Sequence, residues 1–309
     1  MFKNSKFKII GLVTTLMIAM ILSACGSGSS EENSSTDLGG KEIEIPYKGD
    51  NSAARSLVIA EVLKDVGYDV VTTPVPASGP LYSATSENSN SFNAASIFPS
   101  TDKSYLNKYD NLEVYDDKNI IDEANVSLAV PKYMKDVDSI DDLKNDNDLG
   151  KSVDWTITGT DNRNGVMKET NEALKDNDFS DWKLDKSSDE EMLKTIQEKY
   201  KKQQPIIFTG TQPHWIFEEM DFKMLDDPDK IYGSGKEHVN LVFNKNFKNN
   251  HPAAYKIATR IANDWNEDDE KELSKKIYVD NEDPQKVAED YVNNHESKKD
   301  KWTEGIKEN

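Results

Sequence analysis

Apolar and polar positions alternate over most of Lys41 to Tyr47, which predicts a short strand. From Ser52 to Val66 the period changes: Ala53, Leu57, Val58, Val62, Leu63 and Val66 recur at helical spacing, and Gly67 follows as a helix terminator. Tyr68 to Thr73 returns to a strand pattern. Strand, helix and strand within about 30 residues form a βαβ unit, and its parallel strands need helices to cover them.

The alternation continues downstream. Ser127 to Val130 reads as a strand end closed by Pro131, and Val153 to Thr158 is mostly β-branched and aromatic. Ser188 with Glu191 has the spacing of a capping box, behind which Met192, Ile196 and Tyr200 form one apolar helix stripe. Pro205 to Thr209 predicts a strand bounded by Gly210. Helices are predicted from Pro252 to Asp264 and from Pro284 to Asn293, each with proline in its first turn. The acidic runs at 138–148 and 267–272 read as solvated turns and helix faces. The pattern is α/β, without a solenoid repeat.

The N-terminus departs from it. Lys3, Lys6 and Lys8 precede an apolar run from Ile9 to Leu22. That run is about 14 residues, short of the ~18–20 that span a bilayer. It ends at Leu22-Ser23-Ala24-Cys25, a lipobox pattern, so residues 1–24 are expected to be an export signal and Cys25 the lipid attachment point. Cys25 is the single cysteine, which excludes an internal disulfide. Residues 25–40 are rich in Gly, Ser, Glu and Asn and read as a flexible tether.

The chain carries 38 Lys and Arg against 57 Asp and Glu, a formal charge of −19. Without the three leader lysines the charge becomes −19 minus 3, about −22. Such a surface repels phosphate backbones and argues against nucleic acid as a partner. Four scattered histidines form no H-E-x-x-H motif, and neither a G-x-S-x-G elbow nor a P-loop is present, so no enzyme chemistry is indicated. Asp146-Asn147-Asp148-Leu149-Gly150 lacks the ligand order of a calcium loop, and no metal or cofactor is expected.

Ser127-Leu128-Ala129-Val130-Pro131-Lys132-Tyr133-Met134 and Ser139-Ile140-Asp141-Asp142-Leu143-Lys144 resemble the binding components of glycine betaine ABC importers. The resemblance continues through Gly210-Thr211-Gln212-Pro213-His214-Trp215-Ile216-Phe217 and Asp221-Phe222-Lys223-Met224-Leu225-Asp226-Asp227-Pro228. His251-Pro252-Ala253-Ala254-Tyr255 and Val287-Ala288-Glu289-Asp290-Tyr291 extend it, from Lys41 to Trp302 in all. It implies a two-lobed periplasmic-binding-protein-like fold of type II, with mostly parallel sheets flanked by helices and two crossovers. These are expected near Val130 to Lys132 and Lys236 to Asn240, giving one lobe of residues 41–130 plus 240–309 and a second of 131–239.

The resemblance also implies a function: a lipid-anchored monomer on the extracytoplasmic face of the membrane that delivers a small solute to an ABC permease. The solute would be glycine betaine or a similar small zwitterionic osmolyte; alternatives are another polar or anionic solute, or a sensor or adhesin without transport. Members of the family generally enclose the trimethylammonium head in tryptophan faces, at about 0.5–2 kcal/mol per cation–π contact. Three such faces are missing: the loop after the first strand reads Gly49-Asp50-Asn51-Ser52, a W-L-P segment is Ile97-Phe98-Pro99, and the W-x-P-H-W segment begins at Thr211. Tyr47, Tyr82, Phe98 and Trp215 are candidate substitutes.

The G-x-D-P-G-A-G turn appears as Gly159-Thr160-Asp161-Asn162-Arg163-Asn164-Gly165, with Arg163 in place of a glycine. Arg163 facing the cleft would favour an anionic or polar solute; facing solvent, it would say nothing of the ligand. Asp161 and Asn162 suit either ligand binding or helix capping. His214 suits either a ligand carboxylate or a bond within its own turn, and Trp215 fits core packing. The ligand-binding positions carried over by the resemblance are therefore Asn51, Ser52, Ile97, Phe98, Asp161, Arg163, Thr211 and His214.

Overall fold

A computed structural model of the chain describes residues 36–306 apart from Asp176 and Ser234. The export signal, Cys25 and most of the tether lie outside the described residues. The first half runs β1 (Glu42–Lys48), α1 (Ser52–Val66), β2 (Asp69–Val75), α2 (Ser78–Glu87), β3 (Phe92–Phe98), α3 (Lys103–Leu106), β4 (Leu112–Val114) and β5 (Ile121–Pro131). Then follow α4 (Asp142–Asn145), α5 (Asn147–Ser152), β6 (Thr156–Thr158), α6 (Gly165–Ala173), β7 (Lys183–Leu184), α7 (Asp189–Lys201), β8 (Ile207–Gln212), α8 (Ile216–Glu219) and β9 (Phe222–Met224). The chain ends with β10 (Glu237–Asn244), α9 (Phe247–Asn250), α10 (Pro252–Asp264), α11 (Glu267–Tyr278), α12 (Pro284–Asn294) and α13 (Glu296–Thr303).

Local signals place many of these ends. Gly67 terminates α1 in the left-handed region at φ 107°, where glycine lacks the Cβ that would clash. Ser188 caps α7 reciprocally: its hydroxyl accepts from Glu191 N at 3.2 Å, and the Glu191 carboxylate accepts from Ser188 N at 3.4 Å. Asp146 accepts from Asp148 N and Leu149 N, both at 2.9 Å, so it caps α5. Gly210 does not end its strand; it lies inside β8, where an added Cβ would stand 2.9 Å from Met224 Sδ and 3.1 Å from Ala129 Cβ. A strand glycine there permits close approach of the neighbouring strands.

The sheet is mixed and curled, where the βαβ pattern predicts mostly parallel pairing. Parallel pairs are β1/β2, β6/β7 and β6/β8; β10 runs antiparallel to β3, β4 and β5, and β5 antiparallel to β8 and β9. The antiparallel pairs arise because β5 and β10 carry the chain between the lobes. Strand β5 pairs with β10 through Ile121 and Ala124, then with β8 from Asn125 onward. That change of partner precedes the Val130–Lys132 stretch where the sequence places the first crossing.

One apolar cluster joins α1, β3, β10 and α10–α13, including Leu57, Ile59, Phe92, Phe243, Ile257 and Trp302. Another, with Met192, Ile196, Phe208 and Trp215, lies under α7 and α8. Trp155 and Trp182 pack edge to face at 5.4 Å, and the Trp302 indole donates to Asp264 at 3.0 Å, so these rings serve packing. The acidic start of α11 is not wholly solvated as its composition suggests: Glu270 is buried and paired with Arg55 at 2.7 Å. Among the described residues no helix is long and apolar enough to cross a membrane.

Candidate functional site

The site forms where strand ends and helix starts of the two lobes face each other. Lys48 ends β1, Asp50 to Ser52 lead into α1, Thr160 follows β6, Asp189 opens α7, and Thr211 and His214 follow along the end of β8. Ligands of open α/β sheets bind at such carboxyl ends because the backbone turns there and frees polar groups. These residues enclose a cavity of about 70 Å³, with Asn164, Met192, Phe208 and Phe217 also in its wall. That is small beside the roughly 300–1,000 Å³ of drug-sized pockets, so only a compact solute suits it. A recess of about 20 Å³ shares Lys48, Asp50 and Thr211 with the cavity and adds Asn51, Ser52, Arg55 and Ile97.

Contacts between the lobes close the cleft. Asn51 Oδ1 accepts from Trp215 N at 2.9 Å, Asn164 Oδ1 from Ser78 N at 3.1 Å, and Arg163 O from Gly79 N at 3.0 Å. Trp215 stacks on Tyr278, with centroids 5.9 Å apart and planes 13° from parallel, and Tyr278 Oη donates to Asp50 O at 3.0 Å. Gly165 packs so tightly that an added Cβ would stand 2.5 Å from both Thr101 O and Thr101 Cγ2.

The charges in the wall are few and coupled. Lys48 Nζ lies 3.2 Å from Asp50 Oδ2. Burial alone would raise the Asp50 pKa, but the Lys48 and Arg55 charges and the Ser52 hydrogen bonds outweigh it and hold the carboxyl below the usual range. Burial works against the Lys48 charge as well, yet Asp50 and Asp102 keep its pKa above that of a free lysine. Asp189 is shifted upward, chiefly by burial, although it accepts a hydrogen bond from the Thr160 hydroxyl. Burial lowers His214 to about 4, so its ring is neutral near pH 7.

Of the positions expected from sequence, Asn51, Ser52, Ile97, Thr211 and His214 come together around the cavity and its recess. The His214 ring lines the cavity, and its Nδ1 accepts from Ile216 N at 3.2 Å within the turn. Asp161 and Arg163 stand apart from the wall and pair with each other, Nε at 2.8 Å and Nη2 at 2.6 Å, leaving the guanidinium about half exposed. Asn164, one residue on, faces the cavity instead. Phe98 packs with Leu81, Tyr82 and Tyr105, away from the cavity. Of the candidate replacement rings, Tyr82 stacks on Tyr105 at 6.0 Å, Trp215 stacks on Tyr278, and Tyr47 packs against the main core; none is in the cavity wall.

Lys48, Asp50, Thr160 and Asp189 escape a sequence-level search, because each looks like an ordinary strand-end, turn or first-turn residue. The capping box at Ser188 and Glu191 was the nearest signal, since a helix start beside a strand end often faces a ligand.

Two lobes joined by crossing strands, with a cavity of mixed polar and apolar lining between them, define a solute-binding fold of the type II periplasmic kind. Residues 41–294 match the model for the substrate-binding domain of ABC-type glycine betaine transport systems, and the chain belongs to that family. The glycine betaine/carnitine transport binding protein GbuC of Listeria monocytogenes is 36% identical over 161 residues, 52% of each chain, so the match spans about half the length of that curated relative. Lactococcal OpuAC, in its closed-liganded conformation with glycine betaine, superposes with a TM-score of 0.75 at 28% identity, covering 85% of this chain and 100% of that one. The glycine/betaine/L-proline-binding protein ProX of Borrelia burgdorferi shares the fold at TM-score 0.76 and 24% identity, covering 85% of this chain and 96% of that one.

Proposed function

We propose that this chain is the extracytoplasmic solute-binding component of an ABC importer, taking glycine betaine or a similar small osmolyte and delivering it to a membrane permease. The observation that carries this reading is the cavity between the lobes, walled by Lys48 and Asp50 from one lobe and by Thr160, Asp189, Thr211 and His214 from the other. A solute held this way favours the closed arrangement by its differential affinity, and the closed form is what a permease would recognise. The partner switch in β5 supports lobes of residues 36–124 plus 237–306 and of 125–236. Family relatives that bind solutes with no chemistry support a role without catalysis or cofactor.

The test is small-angle scattering and thermal unfolding of the purified full-length chain in detergent, with and without glycine betaine, carnitine, choline, proline or small anions. A solute at 100 times its dissociation constant is expected to add about 2.7 kcal/mol of stability and to shrink the radius of gyration. Stabilisation by anions alone would remove the osmolyte reading, and stabilisation without compaction would remove the importer mechanism.

The lipobox at Leu22–Cys25 supports attachment by a diacylglyceryl group on the Cys25 sulfur, which would hold the chain at the outer face of the membrane through the tether. Metabolic labelling with a fatty acid is expected to mark the wild-type chain and to fail on Cys25→Ser. Equal labelling of both would reject the anchor.

A further inference from the structure

We propose that Asp189 holds the positive end of the solute and that the cavity selects an ammonium carrying at least one N–H over a fully methylated one. The inference rests on the solute-binding reading above and names the chemistry of its ligand.

The charged side chains in the cavity wall are Lys48, Asp50 and Asp189. Lys48 and Asp50 satisfy one another at 3.2 Å. Asp189 accepts from the Thr160 hydroxyl, and among the described residues no lysine, arginine or histidine lies within ion-pair distance of it. The wall therefore carries one carboxylate with no cation in ion-pair contact, the Lys48 charge acting on it only at longer range. Asp189 is half-buried at the start of α7, and a carboxylate there is free to take a charge-assisted hydrogen bond from a cationic solute.

An ammonium group can be held in two ways. Aromatic faces attract it through the ring quadrupole and need no donor, so they suit a quaternary head. A carboxylate only accepts, and its strong interaction is the short charge-assisted hydrogen bond, which requires an N–H. Among the described residues the wall has no Trp or Tyr; besides the His214 imidazole its rings are Phe208 and Phe217, which pack on each other at 6.1 Å as part of the second lobe's core. Phenylalanine is a weaker cation–π partner than tryptophan. Leu193 and Ile196 beside them supply apolar surface for the hydrocarbon part of a solute. The wall thus offers the solute a carboxylate and, among the described residues, no indole face.

Glycine betaine, N,N-dimethylglycine and sarcosine have the same carboxylate and net charge and differ by successive replacement of methyl by N–H. Calorimetric titration of the full-length chain with these three separates donor recognition from charge. The first N–H is expected to tighten binding by roughly tenfold, the gain of one charge-assisted hydrogen bond. In Asp189→Asn, which keeps the shape and removes the charge, the ratio between dimethylglycine and glycine betaine is expected to fall to within about twofold.

Glycine betaine as the tightest ligand of the wild-type chain would overturn the proposal while leaving the importer reading standing. An unchanged ratio in Asp189→Asn would overturn the role of that residue. No binding by any of the three would overturn both the proposal and the osmolyte reading. The wild-type series alone decides the preference, whatever the folding of the variant.

Discussion

Gly165→Ala is expected to weaken solute binding by roughly ten- to a hundredfold with little change in the stability of the unliganded chain. Gly165 opens α6 on the second lobe and packs on Thr101 of the first, where an added Cβ would lie 2.5 Å from a backbone oxygen. Thr101 has little freedom to retreat, because its amide is held by Glu237 at 3.2 Å and the neighbouring Ser100 amide by the same carboxylate at 3.1 Å. An overpacked contact costs about 1–3 kcal/mol. Here the cost falls on the closed arrangement alone, since separation of the lobes relieves it. Each 1.4 kcal/mol is a tenfold loss of affinity. Titration calorimetry measures the binding, and denaturant unfolding without solute is expected to agree with wild type within about 0.5 kcal/mol. Wild-type affinity in the variant would show that closure does not bring Gly165 against Thr101.

The largest stability effect is expected from Glu270→Ala, at about 3–5 kcal/mol of unfolding free energy. Arg55 Nη1 lies 2.7 Å from Glu270 Oε2, with both side chains at or below 5% exposure, and the Trp265 indole donates to the same oxygen at 3.0 Å. Arg55 Nε also donates to Ala94 O in β3. Burial pushes the Glu270 pKa upward and the Arg55 charge opposes it. Truncation leaves a guanidinium in the interior with its ion-pair partner gone and only the more distant Asp50 opposing its charge, and a buried ion left this way is costlier than the pair was worth. The same pair connects α1 to α11, so solute affinity should fall as well, because α1 begins at the Asn51 and Ser52 end of the site. A urea titration with a loss below about 1 kcal/mol would mean that water reaches Arg55 once the carboxylate is gone.

Helix limits were the most legible feature of the chain. α1 and α10 have the bounds read from the periodicity, and the Ser188–Glu191 box, Gly67 and the first-turn prolines act as written, because each signal and its target lie within one turn. Strands were harder. β5 begins at Ile121, well before the apolar Ser127–Val130 stretch, because Ile121 and Ala124 are held by β10 more than a hundred residues away. No local pattern announces such a partner.

Family motifs narrowed the site without completing it. Thr211 and His214 were legible because they lie in one ordered segment, and the absence of indole faces from the cavity wall follows the missing tryptophans at 49–52, 97–99 and 211. Arg163 was ambiguous in sequence because direction is not encoded by type. In the folded chain its neighbour Asp161 takes the guanidinium through two short bonds and turns it out of the cavity.

The sequence by itself therefore determined the helices, the α/β class, the family and the loss of the tryptophan cage, all of which depend on residue type and near neighbours. Tertiary structure decided which charges share the cavity. Asp189 meets Lys48 and Asp50 only when the two lobes do, and Glu270 becomes a buried ion only because Arg55 reaches it from 215 positions earlier. Coulombic and desolvation effects act through space, so their partners are set by the closed fold and not by order along the chain.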